Sequence, residues 1–460
     1  MSSGGKHDTA VPRRGRGRRV LTVLGVLVLV CGLVVGYAHW HLHRLETADV
    51  AWSTPLDYGG DVVVAAGRVY TYDARGFQVT RLSDGRKLAS EGAGDAAMFV
   101  GDDGHFAVTN QYRLTFYTPD GKKLWDRRLD PAYRYANVPV AIGSGTITYR
   151  SCAQRGRDDS CTLRAVDQDG KNIWTSPTTR LPSFPVRHHE VLRQDEAASS
   201  VLQTIPSVPI TERRGRLVQL DDSGKPAGES IAAEHATAVG DLMIESTRSG
   251  TTCHYRGVRG GEVAWTGEAA CPGTGEIQDI IAFRSRMYVG YDRDPDSVMN
   301  HPQHMVSVDL RDGDTHVFGR GWSALLAQPD ETRIAAPDVI VEQGRRTLTG
   351  RSPATGKKLW SRSFDEDELS YLTSDGEGSR YSTVRASAGT VSTYSQRAGL
   401  WRRLAVGTQS PENVMTLLDP RTGETTARLL WDDPELVTTA TGKGPLVVAG
   451  DQLILLKDAS

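Results

Sequence analysis

The feature that most constrains this chain is a short pattern recurring along it: a strand-like run, Asp-Gly or Thr-Gly, a basic residue and then tryptophan. It reads FYTPDGKKLW to Trp125, AVDQDGKNIW to Trp174 and GRSPATGKKLW to Trp360. Weaker copies are VTRLSDGRKLAS around Gly85, VQLDDSGKPAGES around Gly224, YRGVRGGEVAW to Trp265, VSVDLRDGDTHVF around Gly313 and LLDPRTGETTARLLW to Trp431. The turn glycines 85, 121, 170, 224, 261, 313, 356 and 423 lie 36 to 67 residues apart, so eight units are visible. Lysine gives an independent check, because the chain has 10 lysines against 44 arginines and seven of them (Lys87, Lys122, Lys123, Lys171, Lys225, Lys357, Lys358) fall in these turns.

Each unit reads as a hairpin. Runs such as Arg113-Leu114-Thr115-Phe116-Tyr117 have strand period, and the Asp-Gly or Thr-Gly pair supplies the positive φ of a tight turn. A second apolar pair precedes each hairpin, as in Asp61–Ala65 with Gly67–Tyr72, which gives four strands per unit. Four-stranded units of this length, stacked so that neighbours cover each other's faces, predict an all-β fold, a β-propeller. The last two strands, Gly444–Gly450 and Gln452–Leu456, lack the turn and tryptophan, which recur instead in Val50–Leu56, around Trp52, near the other end. One blade shared by both ends would close the ring and remove exposed sheet edges. Eight blades are expected, with seven or nine if a unit is irregular or the shared blade is additional.

Ahead of the repeat, Val20–Trp40 is 21 residues without a charge, about the length needed for the ~30 Å hydrocarbon layer. Residues 1–19 carry Lys6, Arg13, Arg14, Arg16, Arg18 and Arg19 against Asp8, so the net charge of −2 divides into a basic tail and −7 over residues 20–460. Positive-inside asymmetry then places 1–19 in the cytoplasm, 20–40 across the membrane in contact with lipid, 41–49 as a linker and 50–460 outside. The run reads as an uncleaved anchor; Gly36-Tyr37-Ala38 would also offer small residues to a signal peptidase. An acidic exterior gives no surface for tracking nucleic acid.

Four cysteines follow the span, Cys152, Cys161, Cys253 and Cys271, and three pairings are open to them. Their grouping favours the two local disulfides, as expected in an oxidising compartment. The best metal candidate is Asp292, Asp294 and Asp296 followed by His301 and His304, a run that departs from the EF-hand pattern at Ser297 and Gln303 and reads foremost as a solvated loop. His188-His189-Glu190, the histidines 39, 41 and 43, and Asp365-Glu366-Asp367-Glu368 carry no ligand spacing; the acidic run would at most attract a cationic partner. Catalytic motifs are missing, with neither a Gly-x-Ser-x-Gly elbow nor a phosphate loop. The tryptophans Trp52, Trp125, Trp174, Trp265, Trp360 and Trp431 read as structural elements of the repeat.

On Asp120–Trp125, Asp169–Trp174 and Thr355–Trp360, residues 50–460 resemble the PQQ-like repeat propellers, the superfamily of the quinoprotein alcohol dehydrogenases and of the outer-membrane assembly lipoprotein of Gram-negative bacteria. The resemblance implies that the tryptophans dock between blades. In the enzymes it further implies PQQ beside a disulfide of adjacent cysteines, with a calcium ion held by carboxylate and amide groups. Here no two cysteines are adjacent, so neither cofactor is expected. The resulting expectation is a non-catalytic, single-pass propeller of the bacterial plasma membrane that scaffolds an envelope protein partner. A PQQ dehydrogenase with unconventional ligands and a sensor of an unidentified small molecule are the alternatives.

Overall fold

The computed structural model describes residues 26–38, 40, 47–73, 75–94, 96–110, 113–128, 138–143, 145–152, 161–177, 201–273, 277–283, 286–293, 302–318, 333–335, 339–343, 347–363, 384–387, 390–395, 413–431, 434–438 and 444–457. Residues 26–38 and 40 are α-helical, and among the described residues no helix is long and apolar enough to cross a membrane. Positions 20–25 and 39 of the expected span lie outside the described residues.

Everything else is β-structure apart from turns and the 3-10 turn Ala233–His235. Among the described residues there are nine sheets. The first eight take their strands in chain order from residues 61–92, 97–128, 138–177, 210–232, 236–270, 277–318, 333–363 and 384–431, and each contains one turn glycine. The ninth joins the two ends of the chain: Val50–Pro55 pairs antiparallel with Gln452–Leu456, beside Leu446–Ala449 and Pro434–Thr438. The preferred count of eight is therefore corrected to nine sheets, because the shared sheet is additional to the eight turn-bearing units.

Burial shows why the repeat stacks. Third strands are covered on both faces, as in Arg113–Tyr117, where every residue after Arg113 is buried. Fourth strands such as Lys123–Arg128 and Lys358–Ser363 are half exposed, which sets them at the outer rim. The alternation read from Arg113–Tyr117 thus reports two packed faces rather than one wet and one dry. Apolar clusters join consecutive sheets, for instance Phe116 with Ile147 and Tyr149, or Ile231 with Met243 and Val258. The last sheet packs on the first through Leu446, Leu453 and Leu455 against Val69 and Leu82.

A repeated contact fixes the spacing between sheets. In four junctions an indole N–H donates to the carbonyl three residues before the next sheet's turn glycine: Trp52 to Leu82 (2.9 Å), Trp125 to Asp167 (2.8 Å), Trp265 to Leu310 (2.8 Å) and Trp360 to Pro420 (2.7 Å). The ring then lies on the glycine itself. At Gly423, φ is +72° and a Cβ would stand 2.6 Å from Trp360 Cδ2; at Gly224, φ is +76° and a Cβ would meet Trp174 at the same 2.6 Å. Glycine is needed twice over, for the left-handed turn and for the approach of the ring. Trp431 stands elsewhere: it closes the strand Thr425–Trp431, opposite Asn413, and Ala427 takes the place four residues after Gly423 and packs with Ala48.

The residue two positions beyond the tryptophan adds a second bond. Arg127 donates to the Gly170 carbonyl (2.7 Å), Arg362 to that of Gly423 (3.2 Å), and the Thr54 hydroxyl to that of Gly85. The sequence signal is Trp-x-Arg or Trp-x-Thr, which the repeat analysis passed over.

Two sheets depart from four strands. Residues 210–232 form three strands, and the preceding run Val201–Ile205 pairs in parallel with Ala97–Gly101, making the second sheet five-stranded. Because strands alternate in direction, the molecule has two unlike faces. Connections between first and second strands and between third and fourth strands share one face, the turn face; Gly104 of one kind abuts Pro119 of the other, and the Tyr70 hydroxyl donates to the Gly104 carbonyl at 2.7 Å. Connections between second and third strands, and from each sheet to the next, share the opposite face. Val50 begins a fourth strand, so the chain enters the fold on the turn face.

Gly423→Ala is expected to lower stability by about 2–4 kcal/mol, from left-handed strain plus overpacking against Trp360. Gly450→Ala, at φ +57° with nothing within 4 Å, is expected to cost only about 1–2 kcal/mol. Urea midpoints of the two variants test this; equal losses would show that the indole does not depend on the bare glycine.

Candidate functional site

Length separates the two faces. The connections 129–137, 153–160, 178–200, 294–301, 319–332, 364–383 and 396–412 all join strand ends on the face opposite the turn glycines, here the loop face. Long connections on a rigid frame are where binding residues collect.

Both cysteine pairs stand at this face, Cys152 and Cys161 at the base of connection 153–160, and Cys253 and Cys271 beside the tight turn at Gly250-Thr251. Cys253 and Cys271 form a disulfide with a Cα–Cα distance of 4.9 Å, and the Cys271 N–H also donates to the Thr251 carbonyl. Cys152 is directly opposite Cys161 across the ladder, and Cys161 is disulfide-bonded. These covalent ties hold strand ends together at the loop face.

Two of the expected metal residues, Asp292 and His304, fall at the same face, on adjacent strands of the sixth sheet. Asp292 is the penultimate residue of the strand Arg286–Arg293 and adopts φ +55°, a left-handed conformation that aspartate tolerates better than most residues. Its carboxylate rests on Gly273, where a Cβ would lie 1.6 Å from Oδ2 and 3.4 Å from His304 Cδ2. His304 is set by the ladder opposite Tyr291. Asp294, Asp296 and His301 lie outside the described residues, as do His188, His189, Glu190 and residues 365–368. Among the described residues no three His, Cys, Asp or Glu side chains gather as a metal-ligand set.

Beneath this rim is a polar pair that the motif search missed. The Tyr255 and Tyr291 hydroxyls are hydrogen-bonded at 2.6 Å, with Ser246 Oγ at 3.5 Å from Tyr291, inside the apolar cluster that also contains Cys253 and Trp265. Burial pushes both phenols above their ordinary value. The available signal was the tyrosine on each facing strand, in TCHYRGVR and RMYVGYDR. A tyrosine pair of this kind orders a junction; two neutral phenols supply no base.

The PQQ and calcium arrangement implied by the family resemblance does not fit these residues. Cys253 is buried among side chains of the fifth and sixth sheets, 18 positions from its partner, and presents no disulfide floor to a planar ring. Strand Val201–Ile205 lies against the inner strand Ala97–Gly101 and touches strands Asp61–Ala65 and Val138–Gly143, filling space between first strands with the chain itself.

No protein-family model and no curated protein matches the chain. Among solved structures it is similar to BamB from Moraxella catarrhalis, at 12% identity over 89% of this chain and 100% of that one, with a TM-score of 0.36. It is similar to the quinohemoprotein alcohol dehydrogenase from Comamonas testosteroni at 9% identity, over 90% and 77% of the two chains, with a TM-score of 0.35. The computationally designed Ika8 protein matches at 10% identity over 90% and 99%, with a TM-score of 0.38. The assignment of blade-like sheets rests on the pairing and packing above, not on these scores.

Burial also raises Tyr70, Tyr117 and Tyr288. Each of the five phenols keeps its proton in the fold after an unfolded chain would lose it. Their stabilisation is therefore complete below about pH 10, the ordinary tyrosine value, and is lost as pH rises beyond it. In an alkaline titration, absorbance near 295 nm from these tyrosines should appear together with loss of β-structure. Ionisation of all tyrosines near pH 10 with circular dichroism unchanged would contradict their burial.

Proposed function

We propose that the protein is a membrane-anchored, extracytoplasmic β-propeller of the bacterial envelope that binds a protein partner through its loop face and acts as a scaffold. The observation that carries this reading is the division of faces: the chain enters through tight turns, and the long connections stand on the other side. Such an arrangement turns a variable surface away from the point of attachment.

The anchor reading draws on an apolar helical segment whose side chains are largely exposed. Val26, Leu27, Val28, Leu29, Val30 and Leu33 are each at least half exposed, which costs least when hydrocarbon surrounds them. The basic residues 6–19 before it set the orientation. Disulfides at the loop face agree with an oxidising exterior.

A reporter fused after Ser460 should be active only outside the cytoplasm; fluorescence from a cytoplasm-only reporter there would sink the orientation. Photo-crosslinking residues at Arg75 and Ser249, on the loop face, should give discrete protein adducts in intact cells, and one at Ser223, on the turn face, should not. Protein adducts from Ser223 alone would assign the partner to the wrong face.

A further inference from the structure

The placement of lysine points to a second contact surface. Apart from Lys6, every lysine in the sequence lies at a strand end of the turn face: Lys87, Lys122, Lys123, Lys171, Lys225, Lys357 and Lys358 follow the turn glycines, and Lys457 follows the strand Gln452–Leu456. Lys443, outside the described residues, belongs to the connection between Pro434–Thr438 and Leu446–Ala449, whose ends lie on the same face. The 44 arginines show no such restriction, occurring on the loop face at Arg75 and Arg113 and within strands at Arg150 and Arg256. A general demand for positive charge would not sort the two residues in this way.

The turn face is also the face tied to the anchor. The Thr47 and Ala48 N–H groups donate to the Arg428 carbonyl at 3.0 and 2.9 Å, and the Lys457 N–H donates to the Asp49 carbonyl, so the chain is fastened from Thr47 onward. Only residues 41–46 separate that point from Trp40, at the end of the apolar run. At full extension the step from Trp40 to Thr47 is about 25 Å. A face tethered this closely stays beside the bilayer surface.

Charge on the face differs from turn to turn. The turns of the seventh, first and second sheets present Lys357 and Lys358, Arg86 and Lys87, and Lys122 and Lys123, all exposed, while the eighth sheet's turn, between the seventh and the entry point, carries Asp419 and Glu424 with Arg421. Of their lysines, Lys87 alone is in an ion pair with a described residue, Asp57. The turns between third and fourth strands of the third, fourth and sixth sheets carry more aspartates than cations, among them Asp169, Asp222 and Asp312, while the connections between first and second strands add Arg214 in the fourth sheet and Asp102 and Asp103 in the second. Lysine suits a headgroup surface because its compact, hydrated charge sits on a flexible stem.

We propose that the paired-lysine turns of the seventh and second sheets rest on anionic lipid headgroups, with Lys357, Lys358, Lys122 and Lys123 as the main contacts, so that the propeller is held face-down by charge as well as by its tether. This inference rests on the anchor reading above. Basic side chains near an anionic surface each gain about 1 kcal/mol, which is about fivefold in contact occupancy, and the gain falls off within a Debye length.

The test uses the full chain reconstituted into vesicles of phosphatidylcholine alone or with phosphatidylglycerol, and maps lysine reactivity with an amine reagent by mass spectrometry. Phosphatidylglycerol should slow labelling of Lys357, Lys358, Lys122 and Lys123 about fivefold, reversibly with high salt, and leave Lys171 and Lys225 unchanged. In the variant Lys357→Gln/Lys358→Gln, protection of Lys122 and Lys123 should weaken. Protein that stays with vesicles through alkaline carbonate washing but labels equally in both lipids would overturn this proposal and leave the anchor standing. Protein that washes off would overturn the anchor reading and this one with it. Protection that needs added envelope protein and not anionic lipid would give the face to a protein partner and reject the lipid contact.

Discussion

The fold depends on one contact made across sheet boundaries: an indole laid on the bare α-carbon of a neighbouring turn, with its N–H bonded to a carbonyl of that same turn. It sets distance through the ring, orientation through the hydrogen bond, and register through the glycine, which admits no side chain. Arg127, Arg362 and Thr54 fasten the same turns again from two residues further along the strand. A sheet whose edge strand ends this way cannot slide against its neighbour without losing a buried donor, a loss of about 1–3 kcal/mol.

Where the tryptophan is missing, other side chains take over its bonds. Gln219 donates to the Asp241 carbonyl and accepts from the Gly261 N–H at 2.9 Å, clamping the fourth sheet to the fifth. Between the sixth and seventh sheets the Tyr288 hydroxyl donates to Pro353 and Ser307 to Ala354, above a buried Arg286–Asp309 pair. The Arg311 guanidinium beside Asp309 helps hold that carboxyl below the usual carboxylate range, so the pair stays charged. Between the first and second sheets Ala89 fits against Gly121, and tyrosines reach the Gly104 and Ala96 carbonyls. Tolerance of such substitutes explains why the repeat is plain at three places and faint elsewhere.

Legibility followed the same division. Turn glycines and most docking tryptophans stood out because their conformations admit few residues, and the joining of the chain ends was readable from the orphaned Trp52. The polar clamps were not, since Gln219 and Tyr288 look like ordinary strand residues until a neighbouring sheet supplies their acceptors. Trp431 misled by residue type, its own strand having put Ala427 at the contact. The strand exchange of Val201–Ile205 was equally hidden, because an apolar run specifies burial and not a partner. At the loop face the sequence singled out Asp292 and His304, but their company of Tyr255, Tyr291 and Gly273 arises from two sheets that only folding brings together.

The ninth sheet also decides how the molecule bears load. Val50–Pro55 is its rim strand and the one through which the chain enters, and its ladder to Gln452–Leu456 runs along the line from the turn face to the loop face. Tension applied between the entering end and the loop face would therefore pull parallel to this strand, across its hydrogen bonds, which lie perpendicular to it. The bonds resist together in shear instead of opening one after another, and the Trp52 indole seated on Gly85 adds a lateral catch. Closing the sheets through an entering rim strand lets the one joint without a covalent connection share its load over a whole ladder.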